Sequence, residues 1–332
     1  MKTLLFTAQK NEGPFILEWV AYHRAIGFTD IVVFSNDCTD GSDLLLDELA
    51  TEGLVQHIRT EPTPEQTAQY CAAGLMEEME IFREADWVSW LDIDEYLNIQ
   101  VADHTVPALV SALGDASGVI MNWRLFGDSG IPAWNGGLVI EDFTRCARPR
   151  NKNNDPVKSF YRPNEIVKEI YTHRPVFTSD VVDSGHYFLD SEGGLVPTEF
   201  LTTMRPHGPP LQVLQPPNRK YRLAQVNHYA VMSFDVFSMK KFRGAGMKPI
   251  GADASERGKR YGDKFWIKRN RNEGQDTSIQ RHLPALKQLR QEWLAKPKIR
   301  AAHYDCCAAL AHRLVELEAS GHPMTPSAAG LG

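Results

Sequence analysis

Two carboxylates one residue apart, Asp92 and Asp94, follow the hydrophobic run Trp87-Val88-Ser89-Trp90-Leu91. Alternate residues of an extended chain point to the same side, so this spacing predicts that both carboxylates face a single ion. Hard divalent cations such as Mn²⁺ and Mg²⁺ take carboxylate oxygens and often share the ion with substrate phosphates. A metal held there would act as a Lewis acid toward a leaving diphosphate. Two aspartates that only cap turns are the ordinary alternative, and the pair alone does not decide between them. What adds weight is position. The polar clusters Gln9 to Glu12 and Asn36-Asp37 also follow short apolar runs, and ligands of parallel α/β sheets bind beyond the carboxyl ends of the strands.

The elements that must position these residues are legible in the first hundred positions. Leu4 to Ala8 reads as a strand; Pro14 opens a helix with Phe15, Ile16, Trp19, Val20, His23 and Ile26 at helical spacing, and Gly27 closes it. Ile31 to Phe34 is a β-branched strand, Asp40-Gly41-Ser42 caps a helix through Leu49, Leu54 to Ile58 is a third strand and Pro64 to Ala85 a long helix. The alternation predicts a mostly parallel sheet covered on both faces. Further on, Gly118 to Trp123 and Val157 to Tyr161 read as strands, Leu138 to Cys146 and Ser233 to Phe242 as helices, and Pro197 to Asn218 as a Pro-rich excursion. Residues 276–319 are expected to form a helical C-terminal extension and 320–332 a flexible tail.

Composition narrows the classes. With 42% hydrophobic and 23% charged residues and a net charge of −6, the 332-residue chain is an ordinary folded protein, and no nucleic-acid partner is expected. Between Lys240 and Arg300, however, seventeen Lys and Arg face six Asp and Glu. That stretch is either a solvated helical face or a surface for phosphates or anionic lipid. Five cysteines without CxxC spacing argue against a disulfide framework or zinc site and for a reducing compartment. The N-terminal apolar run is too short for a signal-peptide core, so the expected location is cytoplasmic, with peripheral contact at the inner face of the membrane as an option.

Several segments together resemble the family 2-like glycosyltransferases related to glycosyltransferase family 92. They are Lys10-Asn11-Glu12, Glu18-Trp19, Tyr22-His23, Gly27-Phe28, the run Phe34 to Ser42, and Trp90-Leu91-Asp92-Ile93-Asp94-Glu95-Tyr96. Later segments continue the likeness: Trp123 to Gly130, Lys158 to Pro163, Asn227-His228-Tyr229, then Ser233, Phe237, Lys241, Arg243 and Gly244. The resemblance spans roughly residues 1 to 280 and implies a GT-A-type, Rossmann-like α/β fold over 1–275, with a nucleotide-sugar half at 1–100 and an acceptor half at 101–275. It implies that Lys10, Asn11, Glu12, Asn36 and Asp37 hold base and ribose, and that Asp92 and Asp94 bind ribose and metal. It also implies His228 as a third ligand to Mn²⁺ or Mg²⁺, and Lys240, Lys241 and Arg243 near the diphosphate. His173 and His186 are further metal or acceptor candidates; all three histidines can equally be structural, and the three basic residues a solvated face.

The implied activity is transfer of a hexose from a nucleotide-diphosphate sugar, UDP favoured, to a glycan or lipid-linked acceptor. An inverting course needs a carboxylate to take the acceptor proton. Asp128 in its Gly-flanked loop is the first candidate, with Glu141 and Asp142 as alternatives, although Asp-Ser-Gly is also common turn chemistry. Trp123, Phe126 and Trp134 are candidates to stack on an acceptor sugar, or are core. Two other classes compete. A sugar nucleotidyltransferase would show a Gly-rich phosphate loop that Lys10 to Pro14 lacks. A non-catalytic nucleotide- or sugar-binding module would bind without turnover.

Overall fold

The computed structural model describes residues 1–205, 210–216, 219–243, 251 and 261–321, the side chains of 241–243 excepted. In chain order the strands are β1 (Thr3–Gln9), β2 (Asp30–Ser35), β3 (Gln56–Arg59), β4 (Trp87–Trp90), β5 (Glu95–Ile99) and β6 (Gly118–Leu125). They continue with β7 (Arg145–Cys146), β8 (Val157–Tyr161), β9 (Val167–Glu169), β10 (Val176–Phe177), β11 (Phe188–Asp190), β12 (Ala224–His228) and β13 (Gly274–Gln275). Nine of these form one sheet in the order β3-β2-β1-β4-β8-β6-β12-β5, with β11 added beside β6. Pairings β1–β2, β2–β3, β1–β4, β6–β12 and β6–β11 are parallel, while β8 and β5 run antiparallel to their neighbours. The fold is the expected α/β class with a mostly parallel sheet.

Both faces of the sheet are covered, which is why its central strands are almost continuously apolar. Leu5 of β1 and Val33 of β2 face the larger core with helix Gly13–Ala25, helix Ser42–Thr51 and the C-terminal helices. Leu4, Phe6, Val32 and Phe34 face the opposite core with helix Ala68–Glu78. The C-terminal helices Leu283–Leu294 and Pro297–Ala319 bury Leu286, Trp293, Ile299, Cys306 and Leu310 in the same core as the sheet.

Helix Gly13–Ala25 does more than cover the sheet. Trp19 Nε1 donates to the Glu95 carbonyl at 2.9 Å and the Tyr22 hydroxyl to the Leu97 carbonyl at 2.6 Å. These bonds satisfy backbone groups of β5, the terminal strand of the sheet, which would otherwise lack partners. Glu18, from the same helix, accepts the Val139 and Ile140 N–H groups at 2.8 and 3.0 Å, and burial pushes its carboxyl up to about 7.

Three expectations change. The helix predicted over 138–146 is only the single turn Val139–Asp142, because Cys146 pairs with Gly274 in the β7–β13 ribbon instead. The long helix predicted over 64–85 breaks at Met79, whose backbone is extended, into Ala68–Glu78 and Glu80–Arg83. Strands β5 and β12 were not predicted; both are short and carry polar residues that pattern alone does not assign. Of the expected tail, residues 322–332 lie outside the described residues, as do part of the Pro-rich excursion and Gly244.

Candidate functional site

Strand β4 ends at Trp90, and Asp92 to Glu95 form a turn in which Glu95 N donates to the Asp92 carbonyl at 2.9 Å. The extended geometry assumed for the carboxylate pair is therefore absent, and the two side chains take different partners. Asp92 Oδ2 lies 3.4 Å from Lys158 Nζ, and its Oδ1 is buried with no hydrogen-bond partner. Asp94 Oδ2 accepts from Lys240 Nζ at 2.5 Å, and its Oδ1 lies 3.6 Å from His228 Nε2. A tight turn sends neighbouring side chains apart where a strand would align them.

Sheet register brings the remaining residues in. Strand β12 runs antiparallel to β5 with His228 opposite Glu95, and Tyr229 N donates to the Asp94 carbonyl at 2.8 Å. His228 is buried, and its ring packs 4.2 Å from that of Trp123 on β6. Burial lowers the imidazole, against the pull of Asp94. Burial alone would raise Asp94, but the charges of Lys240 and His228 outweigh it and hold the carboxyl well below the usual range.

Beneath the turn lies a fully buried lysine that sequence reading left without a role. Lys158 of β8 reaches Glu95 Oε2 at 2.9 Å as well as Asp92, and the Asp92 N–H donates to the same Glu95 oxygen at 2.9 Å. Burial would lower the Lys158 ammonium, but the two carboxylates keep it charged. Burial raises the Glu95 carboxyl, against the pull of the Lys158 charge. A lysine on a five-residue strand buried at every position was the available signal, since a buried ammonium requires acidic partners.

A cleft of about 640 Å³ opens beside this turn. Its walls include Lys10, Asn11, Glu12 and Asp37 from the loops after β1 and β2, Ile93 between the two aspartates, and Lys240 from helix Phe234–Arg243. The two loops are tied together: Asn11 donates to the Thr39 hydroxyl at 3.0 Å and accepts the Thr39 N–H at 2.7 Å, and Lys10 pairs with Asp37 at 3.3 Å. Asn11 and Asp37 both adopt positive φ, +53° and +44°. Asn36 lies buried beneath, donating to Asp37 at 3.0 Å. The side chains of Lys241 and Arg243 lie outside the described residues.

Other expected residues go elsewhere. Asp128 is clasped by Asn270 and Asn272, at 2.9 and 3.0 Å, and accepts Gly130 N at 3.0 Å. Glu141 pairs with Lys287 at 2.6 Å. None of Asp128, Glu141 and Asp142 lines the cleft; nor do Asp92, Asp94 and His228, but Ile93 between the aspartates and Lys240, the partner of Asp94, do. Trp123 and Phe126 are buried, against His228 and Tyr229, and do not offer faces to a sugar. Trp134 packs on Phe15, a residue of the cleft wall, at 5.3 Å. His173 bonds the Val157 carbonyl, and His186 bonds Ser117 and Glu165.

Among the described residues no three His, Cys, Asp or Glu side chains converge to enclose a divalent cation. Asp94 Oδ1 and His228 Nε2 are nonetheless close enough to share an ion, and the unpartnered Asp92 Oδ1 is an acceptor in need of a donor or cation. This fits an open site of few protein ligands completed by phosphate oxygens and water, as Mg²⁺ commonly has.

No family model matches the chain. A glycosyltransferase family 92 protein of Arabidopsis thaliana is 24% identical over 248 residues, covering 70% of this chain and 36% of that protein's length. The chain thus spans about a third of the relative it matches. Among solved structures, residues 1–349 of S. aureus TarS align with 96% of this chain and 83% of that one at 12% identity and a TM-score of 0.34. The galactosyltransferase LgtC, in complex with donor and acceptor sugar analogs, aligns with 36% of this chain and 46% of that one at 17% identity and a TM-score of 0.25. The sequence match agrees with the motifs: over most of its length this chain is similar to a glycosyltransferase family 92 protein.

Proposed function

We propose that this chain is a glycosyltransferase that moves a hexose from a nucleotide-diphosphate sugar, UDP-linked by preference, to a glycan or lipid-linked acceptor. One observation carries the reading: Ile93, between the two aspartates, lines a cleft whose walls also include the loops after β1 and β2 and Lys240, the partner of Asp94. In this reading Lys10, Asn11, Glu12 and Asp37 hold the nucleoside, with Asn36 supporting Asp37, and Asp92 meets the ribose. Asp94 and His228 would hold Mn²⁺ or Mg²⁺, which when bound supplies Lewis-acid stabilisation of the leaving diphosphate. Lys240, anchored by the Ala230 carbonyl at 2.8 Å, contributes a fixed positive charge where negative charge develops.

An inverting course is proposed without a named base, because the Asp128 and Glu141 carboxylates are engaged away from the cleft. Among the described residues no helix is long and apolar enough to cross a membrane. A lipid-linked acceptor would therefore be met by these described residues through peripheral contact.

The test is the melting temperature with UDP and with GDP, each in Mn²⁺ and in EDTA, for the wild type and Asp94→Ala. Stabilisation by one nucleotide that requires Mn²⁺ and disappears in the variant is expected, since a ligand of the folded state raises its stability with the logarithm of saturation. No shift with either nucleotide would sink the donor site. Binding without sugar turnover would leave a nucleotide-binding module.

A further inference from the structure

Helix Pro297–Ala319 lies beyond the segments that carry the family resemblance, and its sequence suggests only packing. Its buried residues Ile299, His303, Cys306, Leu310 and Leu317 recur at three-, four- and seven-residue spacing and form one stripe. Cys306 fixes where that stripe sits. At Gly13, the first residue of helix Gly13–Ala25, an added Cβ would come within 2.5 Å of the Cys306 sulfur. The C-terminal helix is therefore seated directly against the loop after β1, through a contact that only glycine permits.

This seating turns the adjacent helical face toward the cleft. Ala309, His312, Arg313 and Glu316 line it together with Lys10 and Lys240. Arg313 donates to Glu316 at 2.8 Å, and His312 lies 3.6 Å from the same carboxylate. The Arg313 side chain is half-exposed, as are both partners in its ion pair, so exchanging that carboxylate for a phosphate oxygen costs little. A guanidinium is always charged and presents a planar fork of donors that matches phosphate geometry. The cleft volume of about 640 Å³ is in the range of small-molecule sites.

We propose that the C-terminal helix is a working wall of the cleft and that Arg313 binds the anionic part of a nucleoside diphosphate. The inference rests on the donor-site reading above. Arg313 pairs with Glu316 as Lys10 does with Asp37; the Lys10 pair stays with the nucleoside, and an incoming diphosphate displaces Glu316 from Arg313.

Isothermal titration of the full chain with UDP and with GDP in Mn²⁺ tests this, using Arg313→Glu, Arg313→Gln and Lys298→Glu. Lys298 is exposed on the same helix and does not line the cleft, so it controls for net charge. Arg313→Glu is expected to weaken binding at least tenfold and Arg313→Gln about threefold to tenfold, with Lys298→Glu unchanged. If Arg313→Glu also lowers the melting temperature without nucleotide, the Gln variant decides. Equal affinities across wild type and both Arg313 variants would overturn the role of the helix and leave the donor site standing. Absence of nucleotide binding in the wild type would instead remove the donor site, and this inference with it.

Discussion

Two acidic turns at strand ends look alike in the sequence and differ in the fold. Asp128, after β6, has both carboxylate oxygens filled by neutral amides from Asn270, Asn272 and Gly130. Asp92 and Asp94, after β4, are met instead by Lys158, Lys240 and His228, and one Asp92 oxygen has no partner. Neutral amides that take three of a carboxylate's roughly four acceptor positions make a clasp that holds the side chain in place. Cationic partners and a buried unsatisfied oxygen make a site whose charge balance a ligand can change. The partner, more than the aspartate, decides the role.

The comparison can be broken most directly at Asp94. Asp94→Ala is expected to lower nucleotide affinity in Mn²⁺ by roughly a hundredfold or more, read by titration calorimetry, because it removes a metal ligand and strands the buried Lys240 charge. Nucleotide affinity within a few-fold of wild type would erase the distinction between the two turns.

Lys158→Met comes next. Removing the cation from between the buried Glu95 and the partly exposed Asp92 should cost roughly 3–5 kcal/mol in urea unfolding, and the surviving folded protein should bind nucleotide more weakly because Asp92 loses its anchor. Lys158→Arg should recover part of the binding. Asp128→Ala is smaller, with an expected loss of about 1–3 kcal/mol of stability from freed Asn270 and Asn272 amides. Its nucleotide affinity should be unchanged, and a tenfold loss would return Asp128 to the site.

The smallest effect concerns two buried imidazoles. His228 faces a carboxylate, whereas burial and the Arg290 charge push His303 down to about 4. An imidazole held neutral in the fold takes up its proton on unfolding, so His303 costs stability as pH falls from about 6.5 toward 4. Between pH 7 and pH 5 the wild type should lose about 2 kcal/mol more than His303→Gln. Parallel urea curves at the two pH values check this; an identical acid loss in both proteins would contradict it.

What the sequence determined by itself was local. The strands β1, β2 and β4 and the helix opened by Pro14 and closed by Gly27 follow from apolar periodicity and end signals within a few residues, and the helical extension expected over 276–319 contains the helices Leu283–Leu294 and Pro297–Ala319. The same signals placed Lys10 to Glu12, Asp37 and Asp92 to Asp94 at strand ends. Tertiary structure decided everything that required a partner far along the chain. The pairing of β5 with β12 that sets His228 opposite Glu95, the cations Lys158 and Lys240, the clasp on Asp128, and the C-terminal wall are all of this kind. Spacing reports which residues share a face of one element. Which distant charge neutralises a buried carboxylate is settled only when desolvation forces a partner to be found, and that choice is made by the packed fold.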